Sequence, residues 1–114
     1  MLAYDRVKII WGSDDMGFKT GLLISPDDTR QFVLSGHKAL AAMAHAAGRP
    51  YLLHSCGNLG DIIDDLIEDV GIDAKHSFED KIMPVEDVFR RWGDRIAILG
   101  GVDLDLLARG SEAE

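Results

Sequence analysis

Apolar residues follow two alternating rhythms along the chain. Short strand-like stretches rich in apolar residues stand at positions 7–11, 51–53 and 95–99, with a weaker one at 72–78, and stripes at helical spacing lie between them. Val7-Lys8-Ile9-Ile10-Trp11 is β-branched and aromatic and predicts a strand stopped by Gly12. A polar, glycine-containing connection follows over 12–21; loops of that length inside a compact domain tend to be functional. Ser25-Pro26-Asp27-Asp28 then reads as a helix start, with a capping hydroxyl, a proline at the first helical position and acids at the positive end of the dipole. That helix is expected to bury Phe32, Val33, Gly36, Leu40, Met43, Ala44 and Ala47 and to stop at Gly48.

A second strand starts at Tyr51, behind Pro50. It is followed by the clearest stripe in the chain: Leu59, Ile62, Ile63, Leu66, Ile67 and Val70, closed by Gly71. Asp61, Asp64, Asp65, Glu68 and Asp69 occupy the other side and are expected to be a solvated face. A weaker strand over 72–78 and a helix opened by Pro84, with Val85, Val88, Phe89 and Trp92 inward, come next. The run 95–99 is the fourth strand, broken by Gly100-Gly101, and a last helix occupies 103–109. Trp11 and Trp92 are read as core, and His37 and His45, on the first helix, as structural.

Strand and helix thus alternate four times, which predicts an α/β fold with a parallel sheet and right-handed crossovers. Four such units are half of a (β/α)8 barrel. Alone they leave the first and last strands unpaired and one sheet face bare. The expectation is therefore a single partial-barrel domain over 1–114, either part of a longer protein or completed by a second copy of itself.

Composition narrows the partners. With 12 basic against 20 acidic side chains the net charge is −8, which argues against nucleic acid and against an anionic membrane surface. No apolar run is long enough to span a bilayer, and the first residues lack the pattern of a signal peptide. The single cysteine makes no internal disulfide, so a reducing, cytoplasmic setting is expected.

That cysteine lies in Tyr51-Leu52-Leu53-His54-Ser55-Cys56-Gly57-Asn58. Side chains two apart on a strand point the same way, so His54 and Cys56 are expected to face one site if the strand runs on through Cys56, and imidazole and thiolate are both good zinc ligands. In parallel α/β sheets the active groups gather beyond the carboxyl ends of the strands. Asp14 and Asp15 follow the first strand, His54 and Cys56 the second, Glu79 the third and Asp103 the fourth, so one rim would collect them all. A metal-bound His54 needs an acceptor for its other ring nitrogen, which Asp14, Asp15 or Glu79 would supply.

Each of these residues has a plainer reading. A buried free cysteine behaves as a small hydrophobe, and Asp14 and Asp15 suit an ordinary turn. Asp103 suits a helix cap. His76 is expected to be an internal histidine satisfied by a neighbour, and Gly100-Gly101 a tight turn without a phosphate motif.

Taken together, several stretches resemble the uroporphyrinogen decarboxylase superfamily, which includes cobalamin-dependent, zinc-containing methyltransferases. They are Gly12-Ser13-Asp14-Asp15-Met16-Gly17, Gly21-Leu22-Leu23-Ile24-Ser25-Pro26, His54-Ser55-Cys56-Gly57-Asn58, Ser77-Phe78-Glu79-Asp80 and Ile98-Leu99-Gly100-Gly101-Val102-Asp103. The resemblance covers nearly the whole chain and looks like the carboxyl-side half of a barrel, short of its last part. In the methyltransferase branch a His-x-Cys pair and a distant downstream cysteine bind zinc. His54 and Cys56 match the pair, and the third ligand would lie beyond residue 114. The Arg-rich amino-terminal segment of the decarboxylases proper is absent.

The resemblance implies a domain that moves a methyl group between a corrinoid (methylcobalamin, possibly on a partner protein) and a thiol acceptor. His54 and Cys56 would hold zinc, Asp15 and Glu79 would serve catalysis, and Asp14 and Asp103 would contact substrate. Two alternatives stand beside it: a metal-free lyase of the decarboxylase type, whose rim aspartates bind a tetrapyrrole's NH groups, and a non-catalytic half-barrel that assembles with a partner chain.

Overall fold

The structure, a computed structural model, describes residues 3–111. Its centre is a parallel four-stranded sheet in the order β1 (Ile10–Ser13), β4 (Tyr51–His54), β5 (Ala74–His76), β6 (Ala97–Ile98). Strands adjacent in the sheet are joined by helical crossovers, as expected of a (β/α) barrel segment. The long connection after β1 is not simply a loop. It folds a small antiparallel hairpin, β2 (Gly17–Phe18) and β3 (Gly21–Leu22).

β1 starts three residues later than the pattern 7–11 suggested. A strand exists only where it has a partner, and the pairing opens with Ile10 opposite Tyr51, the first residue after Pro50. The Ile10 N–H donates to the Pro50 carbonyl at 3.0 Å, which fixes that register. Alternation then places Ile10, Tyr51 and Leu53 against the helices. Trp11 and Leu52, paired with each other, point to the opposite face. Trp11 is consequently 56% exposed, against the expectation of a core residue. Its ring instead lies beside that of His76, 5.6 Å between centroids.

The first crossover comprises α1 (Pro26–Asp28), a π-helical stretch Thr29–Leu34 and α2 (Ser35–Ala46). The Ser25 hydroxyl caps it by accepting the Asp28 N–H at 3.1 Å. Its buried residues are Thr29, Leu34, His37, Ala41 and Ala44, whereas Phe32, Leu40 and Met43 are exposed. Of the predicted face, Ala44 is buried and Val33 packs partly buried on the core, but Phe32, Gly36, Leu40, Met43 and Ala47 are exposed, and most of the buried face lies one position further on. A wider π turn inserts a residue into the helical repeat and rotates all that follows, a shift invisible to a strict 3.6-residue count.

The second crossover, α3 (Ile63–Asp65) and the π-helical turns Leu66–Val70 with the turn before them, buries Leu59, Ile62, Ile63, Leu66 and Val70 as the stripe predicted, with Ile67 only partly buried. Gly71 ends it in the left-handed conformation at φ +77°, where only glycine is at ease. The acidic side is more than solvated. Asp65 pairs with Arg30, Asp69 with Lys38, and Asp64 and Glu68 with Arg95, so the side chains lace this helix to both neighbours.

α4 (Val85–Trp92) inserts Val88 and Trp92 into the core and leaves Phe89, expected inward, 65% exposed. Val88 and Trp92 hold the seam with α3, where the Trp92 Nε1–H reaches Asp64 at 3.2 Å. Phe89, one position round, fronts an open hollow beside Ile98. α5 (Leu104–Arg109) follows β6. The core thus lies on one side of the sheet, between Tyr51 and Leu53 and the helices. The hairpin, α1 and the rim residues stand at the carboxyl ends of the strands.

Candidate metal centre

β4 delivers His54 at its last position and the chain turns at Cys56-Gly57. Gly57 has φ +85°, and a Cβ there would fall 2.2 Å from the Gly17 carbonyl carbon. The hairpin can therefore rest backbone to backbone on this loop, with the Asn58 N–H donating to the Phe18 carbonyl at 2.7 Å. That contact brings the end of β1, and with it Asp15, over the strand end of β4.

Three donor atoms meet there. Side-chain ligand atoms of Asp15, His54 and Cys56 all lie within 4.8 Å of one another. His54 Nε2 is 3.6 Å from Cys56 Sγ and 3.4 Å from Asp15 Oδ1. The Cys56 N–H donates to Asp15 Oδ1 at 3.0 Å, and this bond is the chief reason the Asp15 carboxyl is held below the usual carboxylate range. The thiol is half-buried and also meets the Ser77 hydroxyl at 3.7 Å.

The other ring nitrogen of His54 does not go to an acid. Its Nδ1 lies 2.7 Å from His76 Nδ1, so one imidazole donates and the other accepts. His76 is depressed below an ordinary histidine, first by burial and then by His54 and Lys75. It therefore favours the neutral form, which can accept. His76 is satisfied by a neighbour, as the sequence suggested, but that neighbour is the candidate ligand.

The remaining sequence candidates lie elsewhere. Asp14 turns away from the cluster toward α2, with its Oδ2 3.4 Å from His37 Nε2; His37 Nδ1 in turn meets the Tyr51 hydroxyl at 2.8 Å. His37 is thus structural, as expected, but it reaches the rim through Asp14. Glu79 lines a cavity on the helix side of the 57–60 loop, together with Lys75, Phe78 and Trp92. Asp103 caps α5 through the Asp105 N–H at 2.7 Å and pairs with Lys81 at 3.2 Å.

Two residues that tie the centre together escaped sequence reading. Ser55, wholly buried between the two candidate ligands, uses every polar group it has. Its N–H donates to the His76 carbonyl, its hydroxyl accepts the Met16 N–H at 3.1 Å, and its carbonyl accepts from Lys75 at 3.1 Å. One serine so joins the loops after β1, β4 and β5. Lys75 is 1% exposed in the middle of a strand, and burial pushes its ammonium down to about 8. Its alternate neighbours along the strand, Asp73 and Ser77, are polar, so the sequence carried no sign that this lysine is enclosed; its apolar neighbours Leu53 and Ile98 come from the adjacent strands.

A four-stranded parallel sheet with helical crossovers, carrying a His-x-Cys pair at its carboxyl rim, defines a (β/α)-barrel segment. The model of the family "Uroporphyrinogen decarboxylase (URO-D)" matches residues 7–114, so the chain belongs to that family. Among solved structures it is similar to a methyltransferase from Methanosarcina mazei, with 26% sequence identity and a TM-score of 0.63. The match covers 83% of this chain and 26% of that one, so the chain spans about a quarter of its relative's length. No curated protein matches the sequence. No helix among the described residues is long and apolar enough to cross a membrane.

Proposed function

We propose that this chain carries the zinc site of a methyl-transfer enzyme, with His54 and Cys56 as ligands and Asp15 as an oxygen ligand beside them. The observation that carries the reading is the convergence of one imidazole nitrogen, one sulfur and one carboxylate within 4.8 Å. That donor set suits zinc, which accepts nitrogen, sulfur and oxygen ligands and, in catalytic sites, takes three from the protein and keeps a fourth position open. Bound zinc would supply a Lewis acid that keeps an acceptor thiol deprotonated at neutral pH, where a free thiol of pKa roughly 8.5 is mostly protonated. Support for methyl transfer comes from the similarity to the Methanosarcina mazei protein. In this reading the donor is a corrinoid such as methylcobalamin, free or on a partner protein, and the acceptor a small thiol.

The chain's own residues do the positioning. His76 fixes the His54 ring so that Nε2 faces Cys56. The backbone N–H of Cys56 holds the Asp15 carboxylate ionised and aimed at the same point. Ser55 keeps the three loops in register.

Metal analysis of the purified chain tests the proposal. Near-stoichiometric zinc that is lost in His54→Ala and in Cys56→Ser is the expected result. Metal-free protein that binds a tetrapyrrole equally well in both variants would replace it with the decarboxylase reading. A chain that does neither and elutes as a stable oligomer would favour the non-catalytic assembly.

A further inference from the structure

Lys75 stands at a strand position where the fold calls for an aliphatic residue. It pairs with Leu53 on β4 and Ile98 on β6, so alternation turns it toward the helices, among residues that are otherwise apolar. A buried ammonium is costly unless its charge is answered. Among the described residues no carboxylate lies within ion-pair distance of it. Its Nζ instead donates to the Ser55 carbonyl at 3.1 Å and to the Ser77 carbonyl at 2.8 Å, and sits 4.3 Å from the centre of the Phe78 ring. Two of its hydrogens thus go to backbone carbonyls, and the ammonium rests on the Phe78 ring.

The two carbonyls are informative. Ser55 separates His54 from Cys56, and the Ser77 hydroxyl touches the Cys56 sulfur. One ammonium therefore clamps the backbone on both sides of the sulfur, from behind the sheet. Of the groups around it, Cys56 and Glu79 both favour its charged form, Cys56 first. Apolar packing would be served as well by leucine or methionine; what lysine adds is a fixed cation and a bridge between the two loops.

We infer that Lys75 is a positioning residue for the metal centre: it presets the Cys56 sulfur against His54 by pinning the Ser55 and Ser77 carbonyls. This inference rests on the zinc reading above. Nothing in the role requires Lys75 to touch metal or substrate.

Cobalt(II), which reports a thiolate ligand through a sulfur-to-cobalt charge-transfer band, provides the test on the full chain. Wild type is expected to show the band, and Cys56→Ser to lose it. Lys75→Met, which keeps the stem and removes the charge and donors, is expected to melt cooperatively yet bind cobalt about tenfold or more weakly, with a weakened band, the range known for supporting residues of metal sites. Lys75→Arg, which restores donors and charge, is expected to recover part of the band. A Lys75→Met protein with wild-type band and affinity overturns the role of Lys75 and leaves the zinc reading standing. A wild-type chain without any band overturns both, because no sulfur site is then present to be set. If Lys75→Met does not fold, Lys75→Gln takes its place under the same criteria. If only Lys75→Arg folds, with cobalt affinity unchanged from wild type, the lysine serves the fold and the inference fails.

Discussion

His54 and His76 face each other across neighbouring strands with their Nδ1 atoms 2.7 Å apart. The register brings the two rings side by side, since the residues are opposite each other in the β4–β5 ladder. One imidazole must present a lone pair to the other's N–H, and a neutral His76 can do so. His54 is then left with a bare Nε2 toward Cys56 and Asp15. Replacing His76 with Phe should lower zinc or cobalt affinity by about 10–100-fold while the fold persists. His76→Asn, whose side-chain carbonyl can accept, should recover part of it. Isothermal titration of both variants decides this; equal affinity in wild type and His76→Phe would mean that the pair has no bearing on metal binding.

The second crossover helix offers a direct contrast between its two sides. Ile63 is buried against the sheet, and Ile63→Asp would place an uncompensated charge there, at a cost of about 3–5 kcal/mol. Asp65→Lys should cost under about 1 kcal/mol, because it loses only a partly exposed pair with Arg30. Urea unfolding of the two variants measures the difference. Similar losses would show that this helix lies on the sheet by a different face.

That helix was also the most legible part of the chain. Its apolar stripe is long, its end at Gly71 is unambiguous, and its acids and aliphatics scarcely mix. The alternation of strands and helices likewise gave the parallel sheet, whereas His54 and Cys56 meet although β4 ends at His54 and the sulfur sits in the turn beyond it. The failures have physical causes. On the first crossover Phe32, Leu40 and Met43 form a stripe as apolar as the buried one of Leu34, Ala41 and Ala44, and only a π turn decides between them. Trp11 satisfies strand propensity on either face, and pairing with β4 alone sets which way it points. Asp15 and Asp14 are adjacent and chemically alike, so nothing local tells which one joins the centre. The loop contacts that separate them, Cys56 N–H on one and His37 on the other, come from residues about twenty to forty positions away. Ser55 and Lys75 were overlooked because serine in a turn and lysine in a weak strand are ordinary until burial is known.

Gly12 is a position where the absence of a side chain is required by a specific neighbour. A Cβ there would stand 2.1 Å from the Tyr51 hydroxyl oxygen, which is itself held by His37. Gly12→Ala must push the phenol out of that bond and disturb Asp14 behind it, at a cost of about 1–3 kcal/mol. Gly21 has nothing within 4 Å of its would-be Cβ and ordinary backbone angles, so Gly21→Ala should be close to neutral. Thermal melts of the pair suffice as a check. If Gly12→Ala proves harmless, Tyr51 is not pressed against β1 as described.

The enclosed ammonium of Lys75 makes stability depend on alkaline pH in a definite direction. In the folded chain its pKa falls from 10.5 to about 8. Below pH 8 both folded and unfolded chains hold the proton, and the full cost of burying the charge is present. Between pH 8 and 10.5 the folded chain releases a proton that the unfolded chain retains, so this group's contribution to stability rises with pH, by roughly 2–3 kcal/mol by pH 10. Tyr51 acts in the opposite sense above its ordinary value of 10: burial, aided by Asp14, raises its pKa, so the unfolded chain ionises first and stability falls there. Measurements are therefore best confined to pH 8–10 and made as a difference between wild type and Lys75→Met, in which the other groups cancel. Wild type should gain on the variant as pH rises across that window. Parallel urea midpoints at pH 8 and pH 10 would show that solvent reaches the ammonium and that the charge is not enclosed by Ser55, Ser77 and Phe78.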